Sequence, residues 1–402
     1  MSGLGLIAIR RVREATQGTT PAGNMTTHYF ENFGLNGSIA REQPGNVRSD
    51  RQVVDNPATD IDVSGTASAD VVYGDYDGMI EEAMANAMAA AVSVTASDIA
   101  AVASGNKLTG TSGSWASFAV GDFVWVSGMT TNGTGFLAMV SSAPVTTDLP
   151  LSTTFKTLVN ESAGASITVK HAGRFRLGTS ILTASYERLN SGSTKGNVYR
   201  GVGINSWDIG FTHPNKWTQS FGLMGMSRTR ISAALANATT AATGNPLWNS
   251  NTNFGMASLT SPGTGFRFDG TLITDLLIQS LKITVGNPLM AFGGAGALGK
   301  QGVSLDNRFD VKVDLTAYRT GSTAEDLLDD AADPATSHTM GFGVRDNSTN
   351  GTYFYLPALQ VSAESVPPAQ QSGKETVTLS YVAKVDSTHT MFQVSKLGAC
   401  TQ

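Results

Sequence analysis

Two stretches of this chain repeat each other in order, and the second version is the shorter. The first runs through "HYFENFGLNGSIA" (His28–Ala40), a strand-like "SADVVYGDY" (Ser68–Tyr76) and a helix-like "GMIEEAMANAM" (Gly78–Met88). The second runs through "ITDLLIQSLKITV" (Ile273–Val285), "RFDVKVDLTAYRT" (Arg308–Thr320) and "AEDLLDDAA" (Ala324–Ala332). Further on, "ILTASYERLNSGSTKGNVYRGVGINSWDIGF" (Ile181–Phe211) is matched by "HTMGFGVRDNSTNGTYFYLPALQVSAESV" (His338–Val366). Pairing Ile80 with Leu327, and Arg188 with Arg345, gives two offsets that differ by about 90 residues. The first version therefore carries an insert of roughly that length between Met88 and Ile181. Repetition on this scale points to an assembly built from equivalent units.

Composition narrows the fold class to mainly β. Charged residues make up only 15% and glycine is abundant at 44 residues, the mixture of short strands joined by many turns. A net charge of −5 leaves no basic footprint for wrapping nucleic acid. The single cysteine, Cys400, excludes an internal disulfide and is expected as a frayed terminal thiol. The apolar start Leu4–Ile9 is too short for a signal core and its arginines follow it, so it is expected as a first strand or arm. No stretch reaches the length of a membrane span.

These signals divide the chain into a discontinuous first domain (1–93 and 173–245), an inserted all-β domain (94–172), and a linker with a second domain (246–402). A helix is expected at Gly78–Met88. It places Met79, Ile80, Ala83, Met84, Ala87 and Met88 on one stripe, with Asp75 or Asp77 as cap and Glu81 and Glu82 in the first turns. A second helix is expected at Ala324–Ala332 behind the capping box Ser322–Glu325. The insert alternates apolar and polar residues around "TNGTG" (Thr131–Gly135) and reads as a small barrel projecting from its host. Trp115 and Trp125 are expected in its core. Exposed, they would instead suit a carbohydrate-binding or adhesin module, the alternative functional class. Residues Ala234–Gly263, low in charge, read as a linker or long surface loop.

Sites of chemistry are scarce. "GGAGALGKQG" (Gly293–Gly302) approximates a phosphate-binding loop, but Gln301 stands where Ser or Thr is needed and a strand-like pattern follows instead of a helix. The histidines are scattered, and the acidic run Glu325–Asp333 lacks the glycine of a calcium loop. No catalytic, metal or cofactor-binding residue is assigned, and the chain is not expected to be an enzyme or to need a cofactor.

"VREATQGTTPAG" (Val12–Gly23), "VRSDRQVVDN" (Val47–Asn56), "VSGTASADVVYGDYDGMIEEAM" (Val63–Met84) and "YERLNSG" (Tyr186–Gly192) resemble the major tail tube proteins of long-tailed bacteriophages. The insert segment "VGDFVWVSGM" (Val120–Met129) resembles the decoration some of them carry. The resemblance implies two tube domains of β-sandwich or barrel type, each with one flanking helix, plus the inserted small β-barrel. It implies a structural virion protein, present in the host cytoplasm during assembly. Its rings of six tube domains would stack into a hollow tail through which double-stranded DNA passes without specific binding. Partners would be the chain itself, a tape-measure protein, and tail terminator and distal tail proteins, with no membrane. If one chain supplies two tube domains, three chains make a pseudo-sixfold ring; if both versions form one sandwich, six are needed.

Two expectations concern residues. The long loops Ala40–Ile61 and Gly286–Arg308 are expected to touch the neighbouring ring, through Arg41, Arg48, Asp50 and Arg51 in the first and Gly293, Gly296 and Gly299 in the second. Asp62, Asp70, Asp310 and Asp314 alternate with apolar residues, so they must face away from the core and are candidates for the lumen.

Overall fold

The computed structural model describes residues 9–400 apart from 44, 46–54, 114, 165, 191–194, 251–265, 274–275, 297, 319–335, 347–349, 366–374 and 387–389. Alternation builds most of its strands. Ala58–Asp70 buries Val63, Ala67 and Ala69 and exposes Ser64 and Thr66. Asp310–Tyr318 buries Val311, Val313, Leu315 and Ala317 and exposes Asp310, Lys312 and Asp314. The chain is mainly β, as expected, and its sheets are open rather than closed into barrels.

Pairing sets eight strands side by side in one antiparallel array. Asn36–Arg41 forms one edge, followed by Ala58–Asp70, Thr218–Gly225 and the C-terminal half of Gly196–Thr212. Leu277–Gly286 pairs with that half-strand, and Asp310–Tyr318, Thr376–Ala383 and the C-terminal half of Asn350–Ser365 complete the array. Two strands serve two layers. Gly196–Thr212 starts between Ala184–Leu189 and Ser227–Ile231, shifts register around Asn205, and continues into the eight-stranded array. Asn350–Ser365 likewise starts between His338–Arg345 and Gln393–Ala399, then pairs Thr376–Ala383 with a register shift around Ser362. The pairing plan of the first four strands is therefore repeated by the second four.

One face of the array carries the main core. Trp207, Phe221, Ile283, Val285, Val313, Phe342, Phe354 and Tyr381 belong to a single buried cluster spanning both halves. The helix Asp77–Ala83 contributes Met79 and Ala83, with Met84 just after it. It stops earlier than the stripe suggested, because Ala85 takes a left-handed φ of 50°. Neither expected acidic cap is used: Tyr76 is the N-cap, and Asp75 accepts the Thr243 N–H at 2.6 Å. Glu82, expected only to favour the helix dipole, is fully buried and ion-paired with Arg11 of the strand Ile9–Arg13. The expected helix at Ala324–Ala332 lies outside the described residues.

The insert is all-β, but it is not a barrel. Gly135–Met139, Phe123–Ser127, Ile167–His171 and Val92–Ala96 form an open four-stranded sheet, and a three-stranded sheet lies beside it. Nor does it project freely. Its Phe123, Trp125, Leu137, Met139 and Phe155 share a cluster with Tyr353, Tyr355, Leu397 and Cys400 of the second half. Cys400, expected as a frayed thiol, is therefore buried. Gly173–Arg176, just past the insert, pairs with Gln393–Ala399 of the second half rather than with first-half strands. The supposed linker is also partly core: Trp248 is buried, donating to the Val71 carbonyl and accepting from the Trp217 N–H.

Candidate assembly surface

Opposite residues in an antiparallel ladder share a face, so the register defines one surface across all eight strands. One row runs Ser68, Ser220, Asp208, Thr284, Lys312, Val382. The next runs Asp70, Thr218, Gly210, Lys282, Asp314, Ser380. A third runs Thr66, Gly222, Ser206, Gly286, Asp310. These residues point away from the core, and hydroxyls, glycines and aspartates dominate them. The four aspartates singled out from sequence, Asp62, Asp70, Asp310 and Asp314, all lie on this face. Asp208 joins them; its strand reads as too apolar for sequence pattern to single it out.

Cations on this face are matched. Lys282 Nζ lies 3.3 Å from Asp208 and Lys312 Nζ 2.7 Å from Asp310. At the rim Lys216 reaches Asp70 at 2.6 Å. Hydrogen bonds to these carboxylates hold Lys216 and Lys312 above the usual lysine range. Ser380 Oγ donates to Asp314 at 2.5 Å. The surface is thus mildly acidic, with six aspartates (60, 62, 70, 208, 310, 314) on its strands against Lys282, Lys312 and the edge residue Arg41. Such exposed pairs add little stability; they neutralise lysines that would otherwise attract phosphate.

The two loops differ. Arg48, Asp50 and Arg51 lie outside the described residues. Arg41 is exposed at the edge strand and donates to the Asn56 carbonyl at 2.8 Å. The second stretch, read from sequence as a loop, is an ordered hairpin of Leu289–Phe292 and Gly302–Leu305. Its glycines form the tip, where Gly296 and Gly299 take φ of 90° and 95°. The hairpin leans on the first half: Leu289 and Val303 pack with Met226, and Lys300 Nζ meets Asp60 at 2.5 Å, holding that carboxyl below its usual value. Met290, Phe292 and Leu298 remain exposed near the tip. A strand, not a helix, follows the glycines, so no helix terminus is available for a phosphate.

Other chemistry is thin. No cluster of His, Cys, Asp and Glu able to hold a metal occurs among the described residues. Among them, too, no helix is long and apolar enough to cross a membrane. Trp115 and Trp125, which an adhesin would need at the surface, are both fully buried. No curated protein matches the chain. A family model described as phage tail tube protein, however, matches residues 6–384, nearly the whole length. With a mainly β fold that presents one broad polar sheet face, the chain belongs to the phage tail tube protein family and is a structural component of the virion tail.

Proposed function

We propose that the chain forms the tail tube by self-association, two tube units per chain and three chains per ring, with the aspartate and hydroxyl face lining the bore. Residues 1–93 with 173–245 would form the first unit and 246–402 the second, with 94–172 as the insert on the outside. The observation that carries this reading is that one chain already holds two four-strand sets joined edge to edge in a continuous array. Three such chains would close about 24 strands. With strands ~4.8 Å apart and tilted ~40°, the barrel would be roughly 48 Å across its backbone, enough for a double helix after side chains are subtracted. Six chains would give a bore of about twice that width, too wide to guide a duplex.

The face suits passage rather than capture. Each phosphate neutralised by a protein cation strengthens attachment in a salt-dependent way, and the lysines here are occupied by aspartates. Like charge keeps a duplex off the wall. A tape-measure protein would fill the bore during assembly, and terminator and distal proteins would cap its ends. Rings would stack through Arg41, Arg48, Asp50 and Arg51 on one side and the tip around Gly293, Gly296 and Gly299 on the other. The exposed Met290, Phe292 and Leu298 suit such a contact.

Electron microscopy of the purified chain tests the reading. Long hollow polymers are expected, lost when Gly293–Gly299 is deleted from a subunit that still folds. Dispersed monomers at all concentrations, or normal polymers from the deletion, would overturn the assembly or the stacking respectively.

A further inference from the structure

Where the insert meets the second half, the sheet is short of a side chain. Arg267 lies opposite Gly341, and Gly341 lies opposite Tyr355, so the three share one row across three strands. Tyr353 stands two residues along from Tyr355 on the same face. The middle position, Gly341, has no side chain, and one would not fit: a Cβ there would lie 2.3 Å from the Tyr353 hydroxyl. The insert covers this gap with Met139, Thr154 and Phe155, and a cavity of about 280 Å3 remains between the two parts. Its floor is apolar, with Met139, Phe155, Tyr353 and Tyr355 buried. Its mouth is polar, with Thr154, Asp269, Gly270 and Thr339.

Two polar groups in this cavity have no partner among the described residues. Arg267 is 8% exposed, and its buried Nε makes no hydrogen bond. Its Nη1 donates to the Thr154 carbonyl at 2.9 Å and also to the Gly270 carbonyl, which fixes the plane of the guanidinium beside the Phe155 ring. The charge thus meets neutral carbonyls and no carboxylate among the described residues, a costly arrangement for a buried cation. Tyr353 is wholly buried, and its hydroxyl is the second unpartnered group. Asp269, at the mouth, is already matched. One oxygen bonds His338 Nδ1 at 2.7 Å and the other accepts the Thr339 N–H at 2.7 Å.

We propose that this cavity binds a small carboxylate with a flat apolar body, the carboxylate taking the Arg267 Nε–H and the Tyr353 hydroxyl. The body lies against Met139, Phe155 and Tyr355. A planar guanidinium already held by two backbone carbonyls loses little freedom on binding, which favours a carboxylate over a water molecule. The size of the cavity, at the low end for ligand pockets, sets the limit at about one ring. Because the walls come from both the insert and the second half, the ligand ties the two together. The site is independent of how many chains form a ring.

Titration calorimetry on the full chain tests it with three compounds: benzoate, its uncharged counterpart benzamide, and acetate, which has the charge without the ring. Benzoate is expected to bind one per chain with a dissociation constant of about a millimolar or better. Benzamide and acetate should each bind about tenfold more weakly. Tyr353→Phe removes a hydroxyl without a partner, so the melting temperature should hold while benzoate weakens about fivefold. Arg267→Gln should make benzoate and benzamide equal. No saturable binding of benzoate would overturn the proposal. Benzamide binding as well as benzoate would overturn recognition of the charge, and acetate binding as well would overturn the apolar body. Benzoate binding unchanged in Tyr353→Phe, which keeps its fold, would place the compound elsewhere and overturn the site.

Discussion

Inside the chain Trp207 lies opposite Val285 and Ile209 opposite Ile283; at the edge of the array Phe33 lies opposite Ala67, and among the described residues no strand pairs with its other side. The joint within the chain buries a tryptophan completely, whereas the aromatic at the edge, Phe33, is only partly buried. An open strand edge with a heavy apolar load invites aggregation, and a chain that is to wait as a soluble subunit does better with a light one. The difference teaches that two sets of strands with one pairing plan need not pack equally: the core positions keep their pattern, and the amount buried along each strand is set by individual residues.

The comparison can be broken most severely at the tryptophan. Trp207→Ala removes a fully buried ring from the shared core and is expected to cost about 3–5 kcal/mol in chemical denaturation. Val361→Ala, only partly buried against the same core in the second half, is expected to cost about 1 kcal/mol or less. Equal losses would show that the strand joint within the chain is no more heavily packed than the second-half edge.

Acid sharpens it next. His28, in the first half, is buried between the rings of Phe30 and Tyr76, and burial pushes it down to about 3, helped by the nearby Arg11 charge. His338, in the second, bonds Asp269 at 2.7 Å. An unfolded histidine takes up a proton near pH 6.5, but folded His28 does so only near pH 3. The stability it contributes is therefore complete above pH 6.5 and is lost as pH falls, roughly 3 kcal/mol by pH 4. His28→Phe, which keeps a ring in the stack, should flatten the melting temperature between pH 6.5 and 4. An unchanged slope would place the acid sensitivity elsewhere, with His171 of the insert, which burial lowers to about 4, the next group to substitute.

The smallest expected effect lies between the two connections. Lys300→Ala should leave the midpoint of chemical denaturation almost unchanged, since its partner Asp60 is partly exposed. Val303→Ala should cost about 1–2 kcal/mol, because Val303 is buried against Met226 and Leu289. If the order reversed, the ion pair rather than the apolar cluster would be what ties the hairpin to the first half.

Much of this was legible. Alternation gave Ala58–Asp70 and Asp310–Tyr318, and it put Asp62, Asp70, Asp310 and Asp314 on the outer face, because period two leaves a polar residue no other side to occupy. The repeated stretches overlap the two sets of strands that share a pairing plan, because paired strands keep their apolar spacing. What escaped depends on long-range contact. Nothing local marks Glu82 as the buried partner of Arg11, or Asp208 as part of the polar face within the apolar run around Trp207. The hairpin at Leu289–Leu305 was hidden by glycines that signal a loop but form a turn. The insert's contact with Tyr353 and Tyr355 joins segments over 200 residues apart in the sequence.

The most direct test of the central claim is the rotational symmetry of the assembled tube by electron cryo-microscopy. Three chains per ring are expected, each supplying eight adjacent strands to the inner wall and one insert to the outside. A ring of six chains with six equivalent inserts, or an inner wall formed by any face other than that of Asp62, Asp70, Asp208, Asp310 and Asp314, would contradict it.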